Sequence, residues 1–159
     1  MAKILVIYHS RSGNTEKMAE YVAEGAKQTG ALVDVKSVEE VNVEELLNYD
    51  GIIIGSPTYY GTMSAEIKQL FDQSVRFHGQ LTGKVGGAFA SAGGFGGGSE
   101  TTCLDILKSM LVHGMIVVGN VDSHHYGAVS AYSPDRKSIE QCKILGKLVA
   151  SLANRLIDR

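Results

Sequence analysis

Short apolar runs alternate along the chain with longer segments in which apolar residues recur every three or four positions. The runs at 3–9, 51–55 and 85–92 are almost continuously apolar or small, which is typical of strands buried on both faces of a parallel sheet. The run at 32–38 alternates apolar and polar residues, so it predicts a strand at the edge of the sheet. A fifth strand is predicted at 115–118.

Helical periodicity occupies the segments between these strands. It predicts helices over 16–30, 64–74, 100–113 and 135–157, and Ser64 is the predicted N-cap of the second. A short helical turn is predicted at 43–47, and residues 120–134 are predicted to be an irregular connection. Regular alternation of strand and helix predicts an α/β fold, in which a doubly wound, five-stranded parallel sheet carries helices on both faces. The expected strand order is 2-1-3-4-5, with right-handed crossovers.

Composition narrows the class of protein. With 159 residues, of which 44% are hydrophobic and 20% charged, the chain is predicted to form a single domain over 1–159. The net charge of -2 lacks the basic excess of a nucleic-acid binder, and no apolar run is long enough for a membrane span. Cys103 and Cys142 form neither a disulfide framework nor a zinc motif, so we expect reduced thiols in a cytoplasmic protein.

The loop at 10–15 follows the first predicted strand and is rich in hydroxyl groups. In an open parallel sheet, ligands bind beyond the carboxyl ends of the strands where the strand order reverses, and this loop lies there. Its position before a helix offers free N–H groups to a phosphate, although a capped turn without a ligand would have the same composition. Neither the nucleoside-triphosphate motif nor the dinucleotide motif GxGxxG is present.

The loops after the third and fourth strands share that edge of the sheet. The loop at 56–63 contains Tyr59 and Tyr60, which suit stacking on a planar ring or packing beneath their own loop. The loop at 91–100 has five glycines around Phe95, which favours close approach of backbone amides to a ligand, with a merely flexible loop as the alternative.

The remaining polar clusters predict no further chemistry. His124 and His125 are adjacent, so they do not share a strand or helix face, and no carboxylate has a metal-ligand spacing to them. No GxSxG motif indicates a serine nucleophile. We therefore predict no metal site and no catalytic side chain.

Taken together, the loops resemble those of flavodoxin-like proteins. Ser10-x-Ser12-Gly13-Asn14-Thr15 resembles their phosphate loop, and the run 55–64 resembles the isoalloxazine loop of WrbA-type NAD(P)H:quinone oxidoreductases. The glycine-rich run 91–100, His113-Gly114-Met115 and Tyr126-Gly127-Ala128 are similar to further segments of that family.

The resemblance implies a flavodoxin-like fold that binds FMN and uses NAD(P)H as a transient co-substrate. Two electrons would pass through FMN to a quinone-like small molecule, and the protein would be a homodimer or homotetramer. His113 would approach the flavin, either of its own chain or of a neighbouring subunit. The residues that the resemblance assigns to cofactor binding are Ser10, Arg11, Ser12, Gly13, Asn14, Thr15, Pro57, Thr58, Tyr59, Tyr60, Gly61, Ser91, Ala92, Gly93, Gly94, Phe95, Gly96, Gly97 and His113.

Two departures from the family keep a second function open. The connection 39–50 is shorter than the family's insertion, and the chain has no Trp for the substrate pocket. The alternative is a flavodoxin-type carrier that exchanges electrons with redox proteins, although the near-neutral charge differs from the acidic surface of such carriers. A scaffold domain with an empty site is the third hypothesis.

Overall fold

The computed structural model describes residues 1–158, which form a six-stranded sheet with helices on both faces. The strands are β1 (Lys3–Tyr8), β2 (Leu32–Ser37), β3 (Gly51–Pro57), β4 (Val85–Ala92), β5 (Ile116–Val117) and β6 (Ala128–Ala131). The helices are α1 (Asn14–Lys27), α2 (Ala65–Gln73), α3 (Ser99–Val112) and α4 (Arg136–Ile157), and short 3-10 helices cover Val38–Glu40, Val43–Asn48 and Ser74–Phe77. The strand order is β2-β1-β3-β4-β5 and all pairs are parallel, so the predicted fold is confirmed.

The fifth position in the sheet is shared by two strands, which differs from the prediction. β5 pairs with the start of β4, and β6, inside the segment expected to be irregular, pairs with its end. A Cβ on Gly127 would lie 2.0 Å from the Ala88 carbonyl oxygen, so a glycine is required where the chain returns to β4. The sequence signal was weak because β6 has only four residues, two of them alanine.

The core lies on both faces of the sheet, as the apolar runs predicted. In β1, Ile4 and Val6 pack with α1 and α4, whereas Leu5 and Ile7 pack with α2 and α3 on the other face. This arrangement buries β1, β3 and β4 and leaves the loops at their carboxyl ends accessible. None of the helices in the described part of the chain has the length and apolar composition that crossing a membrane requires.

Helices α1 and α4 are in contact at their backbones. A Cβ on Gly146 of α4 would lie 2.0 Å from the Val22 carbonyl oxygen, and a Cβ on Gly25 of α1 would lie 2.0 Å from the Lys143 carbonyl oxygen. The two glycines therefore permit a crossing that any other residue would push apart.

Helix boundaries agree with the predicted ones to within a few residues. The Ser64 hydroxyl accepts a hydrogen bond from the Ile67 N–H at 3.4 Å, which confirms Ser64 as the N-cap of α2. Gly30 has φ 83° just beyond α1, a left-handed conformation that ends the helix.

Candidate functional site

Three loops meet at the carboxyl edge of the sheet and contain most of the predicted site residues. Loop A (residues 9–13) joins β1 to α1, loop B (58–64) joins β3 to α2, and loop C (93–98) joins β4 to α3. β1, β3 and β4 are neighbours in the sheet, so these loops are brought side by side at the reversal of strand order.

Loop A leaves the first backbone N–H groups of α1 without a side-chain cap. Gly13, the residue before α1, has φ 93° and no side chain that could cap the helix. The loop is folded by its own hydrogen bond, in which the Gly13 N–H donates to the Ser10 hydroxyl at 3.1 Å. Ser12 is exposed beside it. The loop therefore presents backbone N–H groups, neutral hydroxyls and the positive end of a helix dipole, a combination that binds phosphate.

Ser91 connects the other two loops to loop A. Its hydroxyl lies 2.8 Å from the Thr15 hydroxyl at the start of α1, and both side chains are buried. Its carbonyl oxygen accepts a hydrogen bond from the Thr58 N–H at 2.8 Å. Thr58 in turn accepts from the Thr102 hydroxyl at 3.1 Å. The cofactor-binding role predicted for Ser91 stays a prediction, but its position between the loops is structural.

Replacing Thr15 with Val is expected to lower the free energy of unfolding by about 1–2 kcal/mol, because the buried Ser91 hydroxyl loses its partner. Urea denaturation in the absence of FMN measures the change. Ser12→Ala, at an exposed position in the same part of the chain, is the control and should leave stability within about 0.5 kcal/mol of the parent. Equal stability of the Thr15 variant and the parent would show that the hydrogen bond is dispensable.

Loop B is a tight turn that turns one tyrosine outward. The backbones of Tyr59 and Thr62 exchange hydrogen bonds of 3.0 and 3.2 Å, while Tyr60 and Gly61 between them have φ values of 50° and 78°. The Tyr60 side chain is fully exposed, so packing beneath the loop does not apply to it. The Arg11 guanidinium carbon lies 4.9 Å from the centre of the Tyr59 ring, which joins loops A and B by a cation–π contact.

Loop C approaches loop B through glycine backbones. A Cβ on Gly98, which has φ 105°, would lie 2.8 Å from the Gly61 Cα atom. The Thr101 hydroxyl donates to the Gly61 carbonyl oxygen at 2.6 Å. Phe95 is 96% exposed at the tip of loop C. Gly98 of loop C is thus needed for contact with loop B, whatever ligand binds there.

His113 lies at the other end of the sheet. It follows α3, whose carboxyl end is beside the amino ends of the strands, and its Nε2 atom is 2.7 Å from the Ser74 hydroxyl. Burial lowers the pKa of His113, which favours the neutral ring. Within one chain His113 is therefore separate from loops A–C, and a contact with the cofactor stays a prediction that requires another subunit.

His9, in loop A, is a residue that the sequence analysis did not assign to the site. Its side chain is buried, with Nδ1 3.4 Å from Glu66 Oε2 and Nε2 3.7 Å from Glu39 Oε1. The signal in the sequence was a polar residue at the end of a buried strand, directly before the predicted phosphate loop. His9 links loop A to the first turn of α2.

Comparison with known proteins agrees with this geometry. The family model described as "Flavodoxin domain" matches residues 5–93. A protein from Aquifex aeolicus named "Flavodoxin" is 41% identical, over 99% of this chain and 90% of its own length. The chain belongs to the flavodoxin family. The resemblance to flavodoxin-like proteins that the sequence indicated is confirmed. The prediction of FMN as the cofactor is confirmed as well.

Different relatives of this chain are named for different functions. A protein from Sinorhizobium fredii named "NAD(P)H dehydrogenase (quinone)" is 44% identical, over 99% of this chain and 100% of its own length. A solved structure described as a flavodoxin, WrbA-like protein, from Agrobacterium tumefaciens superimposes with a TM-score of 0.83 at 28% identity, covering 98% of this chain and 99% of that one. The fold extends along essentially the whole of both chains.

Proposed function

We propose that this chain is an NAD(P)H-dependent oxidoreductase that holds FMN between loops A, B and C and passes two electrons to a quinone-like acceptor. The observation that carries the proposal is the set of joined loops at one sheet edge, in a chain that aligns over 99% of its length with a relative named for NAD(P)H and quinone. FMN, when bound, supplies the redox chemistry, because its isoalloxazine ring takes up and releases electrons.

The residues of loop A and the start of α1 fit the phosphate of FMN. Ser10, Ser12, Asn14 and Thr15 provide neutral donors, and Gly13 adds no side chain above the first N–H groups of α1. Arg11 lies over the Tyr59 ring instead, so the phosphate charge would be balanced by hydrogen bonds and the helix dipole.

The residues of loops B and C fit the ring of FMN. Tyr59, Tyr60 and Phe95 offer aromatic surface, of which Tyr60 and Phe95 are almost free of protein contacts. A planar ring between these loops would cover that surface and exclude water. The glycine-rich backbone of loop C, Gly93–Gly97 with Ser91 and Ala92 behind it, would donate N–H groups to the ring edge and favour its negatively charged reduced form.

A flavodoxin-type electron carrier is the second candidate, and the small number of inserted positions in one alignment favours it. The alignment with the Aquifex aeolicus flavodoxin spans 167 positions, close to the 159 residues of this chain. The alignment with the Sinorhizobium fredii protein spans 199 positions, so that relative has segments that this chain lacks. A carrier would receive its electrons from a redox protein.

Anaerobic titration of the FMN-loaded protein with NADPH and then NADH is expected to bleach the visible flavin absorbance. Direct bleaching requires that the nicotinamide reaches the ring, which a carrier reduced only by proteins does not allow. Free FMN at the same concentration is the control. Protein that retains FMN and is bleached by dithionite but by neither nucleotide would contradict the oxidoreductase and favour the carrier.

We further propose a cytoplasmic homo-oligomer, a dimer or a tetramer. Both cysteines are free and buried, which is compatible with a reducing compartment. Leu111 and Val112 are 57% and 68% exposed beside His113, and a partner subunit would cover this apolar surface. Sedimentation velocity of the FMN-loaded protein distinguishes monomer, dimer and tetramer.

A further inference from the structure

A cleft of about 550 Å³ lies between loop C and residues 123–138. Small-molecule sites commonly have volumes of roughly 300–1,000 Å³. Its lining includes Gly94, Phe95 and Gly96, but within residues 1–158 it takes no residue from loops A or B. Loop C thus forms a wall shared by the proposed flavin site on one side and this cleft on the other.

Two adjacent histidines in the cleft, His124 and His125, are held in opposite tautomers by their hydrogen-bond partners. The Val129 N–H, which only donates, lies 3.0 Å from Nδ1 of His124, so that nitrogen accepts and Nε2 carries the proton. The Asn120 carbonyl oxygen, which only accepts, lies 2.7 Å from Nδ1 of His125, so that nitrogen donates and Nε2 of the neutral ring accepts. The pair therefore offers one donor and one acceptor.

The surroundings of His124 favour the neutral form of its ring. Burial lowers the pKa of His124, and the charge of Lys137 lowers it further, outweighing the opposite effect of Glu100 and Asp135.

His125 lies next to the Tyr126 ring, at 6.4 Å between ring centres and an interplanar angle of 81°. The hydrogen-bonding pair is thus bordered by aromatic surface.

Further aromatic groups line the cleft, and part of its backbone is strained. Phe95, Tyr126 and Tyr132 are 96%, 44% and 63% exposed, so their rings are open to a ligand. Besides Tyr60 of loop B, the non-glycine residues with positive φ in the described chain are His124 (48°) and Tyr132 (63°), and both line the cleft. Such strain is concentrated at functional sites.

The charges at the cleft disfavour an anionic ligand. Glu100 and Asp135 are both on its lining, against the single ammonium group of Lys137. The N–H groups at the start of α4 are partly satisfied already, because Asp135 Oδ1 accepts from the Ser138 N–H at 2.9 Å. The phosphates of a nicotinamide dinucleotide would be repelled, whereas an uncharged ring would not.

We propose that this cleft binds a neutral ring bearing carbonyl or hydroxyl groups, the chemical class of quinones and quinols. A carbonyl oxygen would accept from His124 Nε2, a hydroxyl would donate to His125 Nε2, and Tyr126 and Tyr132 would flank the ring. That such a ligand is the electron acceptor rests on the proposed function, whereas its binding in the cleft does not.

Duroquinone titrated into ¹⁵N-labelled, FMN-loaded protein tests the proposal, since its fully methylated ring does not add thiols. We expect amide shifts centred on Tyr126, Val129 and Ser138, together with a shift of the His124 Nε2 signal. His125→Leu should weaken binding of the reduced form, durohydroquinone, at least tenfold, because its hydroxyl groups can donate to His125 Nε2 and the carbonyl oxygens of duroquinone cannot. His78→Leu, at an exposed histidine near the other end of the sheet, should leave binding unchanged. The FMN dissociation constant of each variant verifies that the cofactor site is intact.

The outcomes are separable. Shifts confined to Tyr59 and Tyr60 would overturn the proposal, because the quinone would then bind only at loop B. Larger shifts in the cleft with NADPH than with duroquinone would overturn the assigned ligand class, and equal loss of binding in both histidine variants would overturn the role of His125. Duroquinone bound in the cleft of a protein that NAD(P)H does not reduce would support the binding site and refute the oxidoreductase.

Discussion

Replacing Ser12 with Asp is expected to lower the affinity for FMN at least tenfold. Ser12 is exposed in loop A beside the uncapped start of α1, where the cofactor's phosphate is proposed to bind. Two like charges about 4 Å apart at an effective dielectric constant of about 20 repel each other by about 4 kcal/mol. Even if solvent screens part of this repulsion, the expected loss of FMN affinity remains large. Fluorescence titration of the apoprotein with FMN measures it.

Ser12→Asn is the matched control, because the amide has the shape of the carboxylate without its charge. It should change the FMN dissociation constant less than threefold. Since Ser12 is exposed, neither variant should alter the urea midpoint of the apoprotein. An unchanged FMN affinity of the Asp variant would place the phosphate elsewhere.

Gly146→Ala is expected to lower the free energy of unfolding by about 2 kcal/mol or more, although alanine is by itself the better helix former by about 1 kcal/mol. The new Cβ would lie 2.0 Å from the Val22 carbonyl oxygen and 2.7 Å from the Ala26 nitrogen. Both are backbone atoms of α1, so they cannot rotate away and the two helices must separate. Urea denaturation of the apoprotein measures the loss.

Ser151→Ala is the control for that substitution, since Ser151 is exposed on the same helix and its replacement by alanine also raises helix propensity, although by less than at a glycine. Its stability should equal or slightly exceed that of the parent. If Gly146→Ala were as stable as Ser151→Ala, the close approach of α1 and α4 would not be required for folding.

Local patterns predicted most of the fold. Continuous apolar runs such as 51–55 occur where both faces of a strand are buried, and Ser64 and Gly30 mark helix ends by backbone chemistry that needs no tertiary contact. β6 was missed because its four residues are held by pairing with β4, and Gly127 is needed only because Ala88 passes close to it. Such contacts between distant segments leave no local periodicity.

The positions of the loops that form the candidate site could also be predicted from the sequence, whereas the contacts between these loops could not. Loops A, B and C follow from the strand order, because ligands bind where that order reverses. The contact of Gly98 with Gly61, the cation–π contact of Arg11 with Tyr59 and the buried position of His9 depend on how the loops pack. The tautomers of His124 and His125 likewise depend on their hydrogen-bond partners, Val129 and Asn120, which the adjacency of the two histidines in the sequence does not reveal.

The divided fifth strand has a consequence for the behaviour of this protein in concentrated solution. A long, flat strand at the border of a sheet is a template on which another chain adds its own strand, and aggregation follows. Here that border consists of two residues in β5 and four in β6, separated by residues 118–127. At the opposite border, β2 carries the charged side chains of Asp34 and Lys36. Neither border offers an incoming chain a continuous apolar ladder, so the sheet is protected against self-association by strand addition.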